Sequence, residues 1–130
     1  MLIDTSILIW IFEGRHDKFG TIARRRLETE PVIVSVSSLF EMAAKRRKGK
    51  LDMPDNESIV SLLNSKEVEI LPIKATHISF LPKRSAIKHA DPFDLLIMAQ
   101  AISEKLELLT NDPEILGASV PGLMAVDRAD

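Results

Sequence analysis

The chain contains no cysteine and no tyrosine. Without cysteine there is no disulfide framework, no thiolate zinc site and no cysteine nucleophile. Histidine is nearly as scarce: His16, His77 and His89 are the only three, and no two of them fall on one helix turn, which argues against zinc held by imidazoles. Long hydrophobic runs are missing too. The longest unbroken one, Ile7 to Phe12, is far short of the roughly 20 residues that span a bilayer, and Asp4 interrupts any signal peptide, so a cytoplasmic location is expected. The six aromatic residues are five Phe and one Trp, too few for the base-stacking platform of an RRM or OB-fold, so any polynucleotide is expected to be held by its backbone.

What is present is the balance of a soluble globular chain: 130 residues, 45% hydrophobic and 28% charged, read as one domain over residues 1–130. The formal charge of -2 at first sight argues against a nucleic-acid partner, but the basic residues are clustered. Arg24 to Arg26, the run Lys45-Arg46-Arg47-Lys48-Gly49-Lys50, and Lys83, Arg84 and Lys88 together hold 11 of the 17 lysines and arginines.

Along the chain, strand and helix patterns alternate. Met1-Leu2-Ile3 is a short apolar strand, followed by a helix through Ile7–Phe12 that ends near Gly14. A second helix over roughly 19–30 leads through Pro31 into the β-branched run Val32-Ile33-Val34, typical of a strand buried on both faces. Ser35 to Ser38 offer N-caps for a helix that carries Glu41 and the basic run and closes at Gly49. Further helices are expected over 57–64 and about 75–81, with a strand over 68–71 between them. Asp91-Pro92 opens the most apolar segment, Phe93 to Ile102, expected to be a central, nearly engulfed helix. A strand at 108–110, a short helix opened by Asp112-Pro113 and a last strand over 123–126 complete an α/β domain with a mostly parallel sheet of four to five strands, covered on both faces.

In such sheets ligands collect beyond the carboxyl ends of the strands. Acids fall there repeatedly: Asp4 after the first strand, Glu41 in the first turns after the second, Asp112 after the fourth, and Asp91 and Asp94 at the start of the apolar helix. Two carboxylates about 5 Å apart repel by roughly 3 kcal/mol at an effective dielectric near 20, so such a cluster calls for a counter-ion. Oxygen-only ligands select a hard ion, Mg²⁺ or Mn²⁺, which also binds phosphate oxygens; the implied reaction is phosphodiester hydrolysis by an activated water.

Each acid also has a local use. Asp91-Pro92 and Asp112-Pro113 are N-cap and N1 pairs, and Asp94 stands where it can close a capping box. For Asp91 capping is the leading use; for Asp94, set between Phe93 and Leu95-Leu96-Ile97, a carboxylate is costly unless compensated, which favours a ligand role. Asp4 competes with Thr5 and Ser6 for the first cap, and Glu41 alone would pass for a surface residue. The basic run is either a solvated helix end or, with Lys45 one turn beyond Glu41, a grip on a nucleic-acid backbone. Trp10 is read as core, with a partner groove as the other use.

The sequence resembles a PIN-domain ribonuclease of the VapC toxin type nearly end to end. The resemblance is carried by Leu2-Ile3-Asp4-Thr5-Ser6, by Ser35 to Ala43 with Lys45 and Gly49-Lys50-Leu51, by His89-Ala90-Asp91-Pro92-Phe93-Asp94 through Ala101, and by Leu109-Thr110-Asn111-Asp112. It implies a three-layer α/β/α domain and a Mg²⁺-dependent endoribonuclease, with Mn²⁺ as a substitute ion. The family acids map onto Asp4, Glu41, Asp94 and Asp112, with Asp91 as an additional acid acting through a water or as a cap. Substrate RNA falls to Thr5, Lys45, Arg46 and Lys50, and the expected protein partners are a cognate antitoxin and a second copy of the chain. One departure is Leu95, where relatives often carry arginine.

Two other readings fit the same length and alternation. A phospho-acceptor receiver domain shares the acidic Mg²⁺ pocket but needs adjacent acids after the first strand and a lysine after the last, whereas Asp4 stands alone and no lysine follows Lys105. A PIN-like module that binds without cutting is the other.

Overall fold

The computed structural model describes all of residues 1–130. Five short strands, Leu2–Ile3 (β1), Ile33–Ser35 (β2), Glu69–Leu71 (β3), Glu107–Thr110 (β4) and Met124–Asp127 (β5), form one all-parallel sheet in the order β3-β2-β1-β4-β5. Parallel neighbours need crossovers, and helices supply them: Thr5–Phe12 (α1), Thr21–Thr29 (α2) and Val36–Arg47 (α3), then Asn56–Ser65 (α4), Ala75–Ile78 (α5), Pro92–Ser103 (α6) and Pro113–Gly117 (α7).

The sequence pattern explains the layers. Successive strand residues point to opposite faces, so Ile3, Val34 and Leu109 pack with Ile7, Leu8, Ala23, Met42, Ile59 and Leu63 of α1 to α4. Their neighbours Leu2, Ile33 and Leu108 face the other way, onto Ile97, Met98 and Ala101 of α6 and Ile115 of α7. With both faces covered, the strands read as continuous apolar runs rather than alternating ones.

The expected elements are present, with shifted ends. The helix expected over about 75–81 stops at Ile78, and a single 3-10 turn, His16–Lys18, interrupts the stretch between α1 and α2. Helix α3 ends at Arg47, and Gly49, with φ of 70°, takes the left-handed conformation that closes it. The sheet order also separates this fold from a receiver domain, whose flavodoxin-like order is 2-1-3-4-5. Here β1 and β4 are neighbours, with Leu2 beside Leu108 and Ile3 beside Leu109, so the order reverses between them.

Buried polar groups lock the helices to this sheet. Ser35, the N-cap of α3, donates through its hydroxyl to Gln100 Oε1 of α6 at 2.5 Å, and Gln100 Nε2 donates to the Pro72 carbonyl at 3.3 Å. His77 is fully buried; its Nδ1 accepts the Lys74 amide, so Nε2 carries the proton donated to Glu104 Oε1 at 2.8 Å. Trp10 is only partly buried: it packs edge-on against Phe19, with Lys18 and Arg128 over its ring.

The C-terminal residues dock on the start of α2. Gly20 and Ile22 donate their amides to the carbonyls of Arg128 and Asp130, both at 2.9 Å, capping a helix whose N-cap residue has no side chain. A Cβ at Gly20 would fall on the carbonyl of Ala129, which is backbone, so the whole segment must move to admit it. Gly20→Ala should therefore release residues 128–130 and cost about 1–3 kcal/mol. Urea unfolding reads the loss, and faster exchange of the Ile22 amide locates it.

Candidate active site

Where the sheet order reverses, the two crossovers leave in opposite directions and open a crevice at the carboxyl edge between β1 and β4. Asp4 follows β1 directly, and its amide extends the ladder by donating to the Leu109 carbonyl at 3.1 Å. Asp112 follows β4. Helix α3 leaves β2 and carries Glu41 in its second turn, and α6, which feeds β4, brings its N-terminus and Asp91 and Asp94 to the same edge.

These segments enclose a cleft of about 330 Å³ lined by Asp4, Thr5, Ser6, Glu41, Lys45, Asp91, Asp94, Asn111, Asp112 and Pro113, with no large apolar side chain among them. All five acids singled out from the sequence meet there, with Thr5 and Lys45. Arg46 and Lys50 do not line it: Arg46 donates to the Met53 carbonyl at 3.2 Å, and Lys50 lies exposed beyond the end of α3. Ser6 and Asn111 line the cleft without having been singled out. Both stand inside the motifs Leu2-Ile3-Asp4-Thr5-Ser6 and Leu109-Thr110-Asn111-Asp112, but as neutral residues beside an acid or a hydroxyl they carry no separate signal there.

The N-cap chemistry holds the acids in place. Asp4 rather than Thr5 or Ser6 caps α1: its Oδ1 accepts the Ile7 amide at 2.9 Å, and Oδ2 accepts the Thr110 hydroxyl at 2.5 Å. Asp91 caps α6 through the Asp94 amide, and Asp112 caps α7 through the Glu114 amide, both at 2.9 Å. Asp91 and Asp112 are thus caps and cleft residues at once. Glu41 is mostly covered and pairs with Lys45 at 3.0 Å. Thr5 spends its hydroxyl proton on Ser38 Oγ at 3.0 Å.

Electrostatics follow from this crowding. Burial pushes the Asp4 carboxyl above the usual carboxylate range, against the lowering effect of its hydrogen bonds from Thr110 and Ile7. Asp94, half-buried, is pushed up to about 7, first by desolvation and then by the charges of Asp91, Asp112, Glu41 and Asp4. No side chain in the cleft balances those charges except Lys45, which is already committed to Glu41.

The donor set is all oxygen, and it fits a hard divalent cation. As they stand, no three of these side chains lie close enough together to hold a metal ion.

A family model for the PIN domain matches residues 1–119. Among solved structures, the chain is similar to VapBC2 from Rickettsia felis bound to a DNA fragment from their promoter, with a TM-score of 0.72 and 21% identity over 97% of this chain and 96% of that one. It is similar to the DNA-bound VapBC from Salmonella typhimurium, with a TM-score of 0.67 and 19% identity over 98% and 97%. A toxin-antitoxin complex from Klebsiella pneumoniae aligns with a TM-score of 0.61 and 24% identity over 95% and 94%. No curated protein sequence matches it.

The raised Asp94 carboxyl makes the metal-free protein sensitive to pH. An unfolded aspartate titrates near 3.8, so between about pH 4 and 7 the folded state holds a proton that the unfolded state has lost. The stabilisation is complete below that window and disappears as pH rises through about 7. At full burial the shift is worth roughly 4 kcal/mol; half exposure leaves on the order of 1–2 kcal/mol. Asp94→Asn should therefore raise stability at pH 8 by about that amount and flatten the dependence. Urea unfolding in EDTA from pH 4.5 to 8 checks both.

Proposed function

The chain belongs to the PIN-domain family, and from that premise we propose that it is a Mg²⁺-dependent endoribonuclease, the toxin component of a VapBC-like toxin-antitoxin pair. The observation that carries the reading is the convergence of five carboxylates from four separate segments into one polar cleft at the reversal of the sheet.

Asp4, Asp94 and Asp112 would hold the cation, and Glu41 would bind a second ion or orient the attacking water. When bound, Mg²⁺ or Mn²⁺ supplies activation of that water and neutralisation of charge gathering on the phosphoryl oxygens. The protein's own groups do the rest. Lys45, paired with Glu41 and lining the cleft, is the cation there that would meet an RNA phosphate. Thr5 and Ser6 form the wall at the start of α1, and Arg46 and Lys50 extend positive charge from the end of α3 outside the cleft. No nucleophilic side chain is required.

Two surfaces support the partners this reading implies. An apolar groove of about 710 Å³, bordered by Ile11, Phe12, Leu27, Val32 and Leu62, offers a seat for an antitoxin segment. On α3, Val36 and Phe40 form an exposed stripe beside the cleft, and Phe40, 64% exposed, packs against Phe93 of α6. Such a stripe suits a second copy of the chain. No helix is long and apolar enough to cross a membrane.

Incubation of single-stranded RNA with the protein and Mg²⁺ should give cleavage that EDTA abolishes. Asp4→Asn and Asp94→Asn remove charge and little volume; each should fold and lose at least about 100-fold in rate. Full activity in both variants, or undiminished cutting in excess EDTA, refutes the proposal. RNA binding with no cleavage at any metal concentration identifies a binding module instead.

A further inference from the structure

Thr110 is the last residue of β4, fully buried, and it lies outside the set of acids assigned to the cation. Its side chain nevertheless bonds to two of them, Asp4 and Asp112. The hydroxyl has a single proton, which it donates to Asp4 Oδ2 at 2.5 Å, and the same oxygen accepts the amide of Asp112 at 3.0 Å. The bond to Asp4 spans 106 residues of sequence and bridges the crevice between β1 and β4.

The consequences for Asp4 follow from counting lone pairs. Each carboxylate oxygen has two. Oδ1 gives one to the Ile7 amide and Oδ2 gives one to Thr110, so the plane of the carboxylate is set from both ends, and the Asn111 amide adds a further hydrogen bond from the same turn. A carboxylate held at one oxygen only could turn about its Cβ–Cγ bond. The Asp112 amide, fixed on the same hydroxyl, sets where the turn into α7 begins and hence where the Asp112 carboxylate stands.

We propose that Thr110 is a positioning residue of the cation site, its hydroxyl aiming Asp4 and holding the Asp112 turn in register with it. The proposal rests on the reading that the cleft holds a divalent cation. Hydroxyl and amide groups that orient ligands are worth about 10–100-fold in metal affinity or activity, and here one hydroxyl bonds the carboxylate of one acid and the backbone amide of another.

The two functions of the residue separate by substitution. Thr110→Val keeps the shape and β-branching suited to a strand but removes the hydroxyl; Thr110→Ser keeps the hydroxyl and removes the methyl group. Mn²⁺ is titrated into the full-length wild type and each variant, with free Mn²⁺ read by electron paramagnetic resonance and the fold checked by circular dichroism. The expected result is a Kd raised about 10–100-fold in Thr110→Val and a serine variant within about threefold of wild type. RNA cleavage should lose kcat in the valine variant at unchanged KM and recover in part at high Mn²⁺.

If Thr110→Val does not fold, Thr110→Ala replaces it in the same titration, to be judged against the serine variant. Wild-type affinity in the valine or alanine variant overturns the proposal and leaves the cation site standing. A serine variant as weak as alanine also overturns it, because the methyl group and not the hydroxyl would then matter. If wild type itself binds no Mn²⁺, the proposed function and this inference fall together.

Discussion

Repulsion among like charges is the constraint around which this molecule is organised. Asp4, Glu41, Asp91, Asp94 and Asp112 share one small cleft with Lys45 as its cation, and Asp94 responds by holding its proton up to about pH 7. A protein selected only for stability would not gather acids in this way. The fold tolerates them because helix N-termini and hydroxyl donors take one face of several carboxylates, leaving the other toward the cleft. Asp4, Asp91 and Asp112 are each the N-cap of a helix, so the positive end of that helix and its free amides offset part of the cost.

The same bonds that stabilise the acids also aim them. A cap ties its side chain to an amide two or three residues ahead, and the helix is in turn fixed by its apolar face in the core. The position of each carboxylate is thereby referred back to the packing of the sheet. Glu41 and Asp94 are not caps, and their helices are tied together differently: the Ser35 hydroxyl begins α3 and bonds to Gln100 on α6. That hydrogen bond, together with the packing of Phe40 on Phe93, connects the helix carrying Glu41 with the helix carrying Asp94. The cleft is therefore held by buried polar bonds reaching it from both faces of the sheet.

Much of this was legible along the chain, for identifiable reasons. Short apolar runs of β-branched residues, Asp-Pro pairs and the apolar stretch from Phe93 to Ile102 mark strands, helix starts and the central helix without reference to distant residues. The acids stood out because each falls just past a strand or at a helix start. The misses have equally plain causes. The pattern after β3 carries a helix on to about residue 81, because nothing local shows that it must stop at Ile78, where the chain turns toward Pro82. Gln100 and His77 were passed over because their partners, Ser35 and Glu104, are 65 and 27 residues away. Arg46 and Lys50 look equivalent to Lys45 in sequence, but helical geometry brings only Lys45 back over Glu41.

The amino-acid sequence by itself determined the class of fold, the absence of thiolate ligands, and the oxygen chemistry that a hard cation prefers, because these depend on residue type and short-range periodicity. Only the tertiary structure decided the strand order that separates this fold from a receiver domain, the identity of Asp4 as the cap of α1, and the role of Thr110 between Asp4 and Asp112. Each of those is a relation between groups far apart in the chain, and their proximity exists only once the sheet has been assembled.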